Sequence, residues 1–114
     1  MNSEIETIFN NFIVDDVQIP IDFAEYTGSA TTYLTYISIT DDPALAGDDE
    51  ILTSVIQYDI DIFTKGNYLN ILKSIKTLMK NNGWMWMGDS PDMFEKDTGY
   101  FHKTATFGKE RSVI

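Results

Sequence analysis

An α+β fold is what the order of patterns along this chain predicts: a two-layer sandwich with a four-stranded antiparallel sheet covered by helices on one face. Three observations carry it. Between Val55 and Phe63 the residues alternate, with Ile56, Tyr58, Ile60 and Ile62 on one side and Gln57, Asp59 and Asp61 on the other, which is the period of a half-buried strand. Soon after, Tyr68, Leu72, Ile75 and Met79 fall on one stripe at helical spacing. Two further apolar stretches, Trp84 to Gly88 and Tyr100 to Phe107, then follow with turn residues between them.

Taken in order, the segment from Ser3 to Val14 reads as a short amphipathic helix, with Ile5, Ile8, Phe9 and Phe12 on one side and Ser3 with Glu6 at capping-box spacing. In VQIPIDFAEYTGSA, Pro20 and Gly28 interrupt regular structure, so Ile19, Ile21, Phe23 and Tyr26 read as anchors of an extended connection. Thr31 to Thr40 is rich in β-branched and aromatic residues and alternates as a strand. DDPALAGDDE, from Asp41 to Glu50, reads as a turn-rich acidic loop between two strands. After the strand from Val55 to Phe63, Asn67 is placed to cap the second helix, and Gly83 stands where helices commonly stop in a left-handed residue. Trp84 to Gly88 is a short strand with large side chains on both faces. SPDMFEKDTG is a connection with turn chemistry at each end. The closing strand from Tyr100 to Phe107 sets Phe101, Ala105 and Phe107 against Tyr100, His102, Thr104 and Thr106. The order is α-β-β-α-β-β. Two hairpins joined through a helix favour an antiparallel sheet in a two-layer sandwich.

Composition narrows the function. The chain has 114 residues, read as one domain over 1–114, and its 43% hydrophobic content suffices for a thin core that a partner surface would complement. Its 18 acidic and 8 basic residues give a formal net charge of -10, which opposes binding to nucleic-acid phosphates. With no cysteine, neither disulfides nor thiolate chemistry is available. No apolar run approaches the roughly 18 residues of a membrane span, and MNSEIETIF is acidic where a signal peptide is basic. The expectation is a soluble protein of the cytoplasm with no membrane partner.

Candidate chemistry is sparse. His102 is the only histidine, and the sequence supplies no partner to tune it as an acid or base, so it reads first as a solvent-facing or interface residue. Glu95 and Asp97 form an imaginable carboxylate pair, but they flank Lys96 in a turn-rich stretch and read as a solvated loop. Asp41, Asp42, Asp48, Asp49 and Glu50 are the densest acidic cluster, yet Pro43 to Leu45 stand where a Ca²⁺ loop alternates its ligands. That cluster reads instead as a loop that orders against a neighbouring subunit. Trp84 and Trp86 alternate with Met85 and Met87, so one pair faces away from the helix. Either that pair is an interface, or the first connection folds over it. Phe94, with Asp59 and Asp61 on the polar side of the central strand, completes the candidate interface residues. No catalytic, cofactor or metal site is expected.

The piece YDIDIFTKGNY from Tyr58 to Tyr68, the helix exit Gly83-Trp84, the hairpin FEKDTGYFHK from Phe94 to Lys103, and PIDFAEYTG leading into TTYLTYI together resemble the tail-completion or tail-terminator proteins of long non-contractile-tailed bacteriophages and their prophages. The resemblance covers most of the chain. It implies a virion structural protein, not an enzyme, that closes as a ring, usually hexameric, on the last ring of the tail tube. Such a ring ends tube polymerisation and offers a surface for head-tail joining. The implied partners are further copies of itself, the tail-tube protein and the head-tail connector protein, with DNA only as passing cargo. The implied location is the host cytoplasm during assembly and then the head-proximal end of the virion tail. Alternatives from the same charge and size are a head-completion or stopper protein and an acidic nucleic-acid mimic that inhibits a host protein.

Overall fold

The computed structural model describes residues 2–47 and 50–112, with side chains described for residues 2–39 and 55–110. Along the chain it comprises α1 (Ser3–Ile8), β1 (Ile13–Val14), β2 (Val17–Gln18), β3 (Ile21–Phe23), β4 (Thr32–Gly47), β5 (Glu50–Thr64), α2 (Leu69–Asn81), β6 (Met85–Asp89), β7 (Met93–Glu95) and β8 (Tyr100–Ser112). The fold is α+β, as expected, but the sheet is six-stranded and mixed rather than four-stranded and antiparallel. Its order is β3-β4-β5-β8-β6, with β7 also paired to β8. The four expected strands are β4, β5, β6 and β8, and their pairings are antiparallel.

The two additions are three-residue strands, too short to show a period. β3 runs parallel to β4, pairing Ile21 with Leu34 and Phe23 with Tyr36. Pro20, which has no N–H to give, instead accepts at its carbonyl from Leu34 N at 2.9 Å, and Ala24 N donates to Tyr36 O at 2.9 Å. The stretch expected to be a plain connection therefore forms an edge of the sheet. β7 pairs Phe94 with Phe101 inside the second expected connection.

The first helix is shorter than its apolar spacing suggests. It ends at Ile8, and Asn2 rather than Ser3 caps it, Oδ1 accepting from Glu4 N at 2.9 Å and Ile5 N at 3.1 Å. Asn11, at φ 58°, turns the chain, and β1 and β2 then form a small hairpin around Asp15 and Asp16, at φ 52° and 64°. Two successive left-handed residues suit a tight hairpin, and Asp tolerates that region better than most side chains. α2 forms on the expected stripe, but its N-cap is Tyr68, which makes no side-chain capping bond, rather than Asn67. Asn67, one residue earlier, accepts at Oδ1 from Leu69 N at 2.8 Å, and the helix exits through Gly83 at φ 87° with Trp84 N bonded to Met79 O at 3.0 Å.

The largest departure is the expected acidic loop. β4 continues to Gly47 and β5 begins at Glu50, so Asp41, Asp42 and Glu50 belong to paired strands. Their side chains, and Asp48 and Asp49 altogether, lie outside the described residues. The register slips between Ser38 and Thr40 and twice between Pro43 and Ala46. Such irregularities accommodate Pro43 in a strand, because pairing of a long hairpin depends on backbone groups and not on side-chain polarity. β8 likewise runs past Phe107 to Ser112, opposite Thr53.

Both helices pack on one face of the sheet. Ile5 and Phe9 of α1, and Ile71, Leu72, Ile75 and Met79 of α2, join Leu34, Tyr36, Ile56, Tyr58, Ile60, Ile62, Ala105 and Phe107 in a single buried cluster. Polar groups hold α1 in place. Asn2 donates from its backbone N to Tyr36 Oη at 2.8 Å and from Nδ2 to Tyr58 Oη at 3.0 Å, and Tyr36 Oη donates to the Glu6 carboxylate. Burial and the Glu6 bond push the Tyr36 phenol up to about 12. Glu4 accepts from Trp84 Nε1 at 3.2 Å and from Lys109 Nζ at 2.7 Å.

Candidate assembly surface

The second face of the sheet has no helix on it. Alternation that sends Leu34, Tyr36, Ile60 and Ile62 inward sends Tyr33, Thr35, Ile37, Asp59, Asp61 and Phe63 the other way, and the register aligns them in rows across β4, β5 and β8. Tyr33, Phe63 and His102 form one row, Thr35, Asp61 and Thr104 the next, and Ile37, Asp59 and Thr106 the third.

The first row is a stack. Tyr26 lies on Tyr33 at 4.4 Å between ring centroids, Tyr33 on Phe63 at 5.0 Å, and Phe63 on His102 at 4.2 Å. The second and third rows place carboxylates among hydroxyls. Asp61 lies 3.0 Å from His102 Nε2, accepts from Thr104 Oγ1, and receives a longer bond of 3.4 Å from Thr35 Oγ1. Asp59 accepts from Thr106 Oγ1 at 2.6 Å. Partial burial raises the Asp59 carboxyl above its usual range, the neighbouring Asp61 charge adds to that, and the Thr106 bond opposes it. Burial also raises the Tyr33 phenol, with Tyr100 contributing. These groups make a hydrogen-bonded wall with an aromatic band across it.

At the β6 edge, the Trp–Met alternation resolves. Trp84 is 2% exposed and packs edge-on against Tyr58 at 5.9 Å. Trp86, on the helix side, lies under Lys76 at 4.4 Å and donates from Nε1 to Asp89 at 2.9 Å. Met85 and Met87 point the other way and are 71% and 49% exposed. The first connection does not cover them, because β3 lies at the opposite edge of the sheet. Met87 crosses the bare backbone of Gly108, where an added Cβ would come within 2.5 Å of its Sδ. With Val55 and Gly83 these residues line a groove of about 470 Å³. Phe94 is 55% exposed and lies on Phe101 at 4.7 Å. A second cleft of about 350 Å³ joins Phe94 to Phe63, Met93, Tyr100 and His102.

Of the residues singled out from the sequence, Asp59, Asp61, Met85 and Met87 therefore share the uncovered face. Trp84 belongs to the core, Trp86 to the helix side, and Phe94 to the β7 margin. Glu95 and Asp97 are exposed and Glu95 ends β7. His102, for which the sequence supplies no partner, lies beside the Asp61 carboxylate. That carboxylate lies 41 residues away along the chain, and only the strand register joins the two. Tyr33, Phe63, Thr35 and the roles of Thr104 and Thr106 escaped for the same reason. Among the described residues no group of three or more His, Cys, Asp or Glu is placed to hold a metal ion, and no helix is long and apolar enough to cross a membrane. Compared with known proteins, the chain matches no family model, and no curated protein is significantly similar to it.

Proposed function

We propose that this protein is a structural subunit that caps a phage tail tube: copies close as a ring on the tube end, stop its polymerisation and present the surface on which a head-tail connector docks. The observation that carries this reading is the uncovered sheet face, on which Ile37 at 43% exposure and the Met85–Met87 pair stand among internally satisfied polar groups. Exposed apolar groups flanking a hydrogen-bonded wall are typical of surfaces that find a partner. The tail-terminator resemblance of the Tyr58–Tyr68 and Phe94–Lys103 pieces supplies the identity of that partner. A ring suits such a subunit because one heterologous contact repeated about an axis covers every copy of the exposed surface without leaving a growing end.

The partners on this reading are further copies, the tail-tube protein and the connector protein, with DNA passing through as cargo. The protein works in the host cytoplasm and then in the virion. A stopper or head-completion role shares most of these features, and binding to a purified tube separates them. Nucleic-acid mimicry fits less well, because Asp59 and Asp61 are spent on hydroxyls within the sheet and are not displayed in a phosphate-like line. Phage assembly in a host lacking this protein is expected to yield tubes of abnormal length that do not join heads, with joining restored on adding it back. Normal infectious tails made without it would overturn the reading.

A further inference from the structure

A cleft over β5, β8 and β7 joins aromatic faces to the Glu95 carboxylate, and we propose that it is a binding site for an arginine side chain presented by a partner protein. Phe63, Met93, Phe94, Glu95, Tyr100 and His102 line about 350 Å³ of space there. No lysine or arginine is among them.

The strand register builds the site. Phe63 of β5 and Met93 of β7 are the two cross-strand neighbours of His102 on β8, and Glu95 is the neighbour of Tyr100, two residues along. Residues two apart on a strand share a face, so these five stand together on the side of the sheet that no helix covers. Phe94 reaches the cleft from the margin, braced on Phe101 at 4.7 Å. The Glu95 carbonyl accepts from Gly99 N at 2.8 Å, which ties the acid to the turn that joins β7 to β8. Nearby carboxylates are engaged within the chain: Asp61 by Thr104, Asp89 by Lys76 and Asp92 by Lys103. Among the described residues Glu95 forms no ion pair. Its field reaches across the rings, adding to the burial and the Tyr100 contribution that raise the Tyr33 phenol.

These parts suit a guanidinium. Aromatic faces attract cations, and a guanidinium, planar and weakly hydrated, lies on a ring while its N–H fork meets a carboxylate in two parallel bonds. Tyr100 already attracts a cation within the chain, since Lys65 Nζ lies 5.2 Å from its ring centroid. The net charge of -10 adds a field that draws cations to the surface. The walls are open, with Met93 at 39% and Phe94 at 55% exposure and Glu95 exposed, whereas sites for free small molecules enclose most of the ligand. An open cleft suits a side chain that a protein backbone already holds in place. It also lies at the end of the Tyr33–Phe63–His102 row, so a partner that covers the wall brings its own side chains to the cleft.

NMR titration of the isotope-labelled full chain with an acetylated, amidated Gly-Arg-Gly peptide tests the site. Saturable shifts are expected at the Met93 methyl group and at the Phe94 and His102 amides. The citrulline peptide, which keeps the shape and loses the charge, is expected to leave them in place. Glu95→Gln, a change at an exposed position that keeps the fold, is expected to weaken the arginine peptide by about tenfold, and Phe94→Ala by about threefold. Lys65→Met removes the competing charge over Tyr100 and is expected to tighten it. Equal shifts with the citrulline peptide, or an affinity that Glu95→Gln leaves unchanged, would overturn the site. Tighter binding of tetramethylammonium, which has no N–H to give the carboxylate, would overturn its assignment to arginine.

Discussion

Asp59 shows how one side chain serves the wall and what that costs. Its carboxyl is raised from the ordinary value of 3.8, first by burial and then by the Asp61 charge, against the Thr106 bond. A raised folded value means that the folded chain holds this proton more tightly than the unfolded chain does. No penalty exists below 3.8, where both states are protonated, and the penalty develops as pH rises through the folded value. Asn at this position keeps an acceptor for Thr106 and removes the charge. Asp59→Asn is therefore expected to gain stability relative to the parent as pH rises from about 4 to about 7, and to differ from it by less than about 1 kcal/mol at neutral pH. Urea titrations at the two pH values measure this. A variant that loses ground as pH rises would mean that the wall stabilises the charge it carries.

At the scale of elements, the alternation of β5 and the stripe of α2 were legible because a strand or helix facing one partner repeats its apolar residues over several periods. Ile60, on that strand, has no exposed surface. Ile60→Ala is expected to cost about 2–5 kcal/mol in chemical denaturation, through lost burial and the cavity left behind. An effect as small as that of Asp59→Asn would contradict the packing. Three kinds of element were not legible. β3 and β7 are three residues long, and edge pairing needs no period. α1 ends at Ile8 and the chain turns at Asn11, at φ 58°, which sequence spacing does not report when Phe12 still falls on the apolar stripe of Ile5, Ile8 and Phe9. The hairpin through Asp41, Pro43 and Glu50 carries turn-forming residues inside a ladder, and propensity pointed to a loop where tertiary pairing prevailed. The wall was half legible. Alternation placed Asp59, Asp61, His102, Thr104 and Thr106 off the core face, but their grouping follows from the alignment of β4, β5 and β8, which no single segment encodes.

For the whole molecule, helices bury one side of a mixed sheet and leave a polar-satisfied side with apolar margins, while the β4–β5 ladder extends the sheet past the residues of the buried cluster. Such a subunit has surface to complete, and the proposed capping ring covers it by repeating one contact about its axis. The most direct measurement is electron microscopy of purified protein added to polymerising tail tubes. The account predicts a ring of added density at one end of each tube and growth that stops once it is bound. Tubes that keep lengthening, with bare ends at saturating protein, would contradict it.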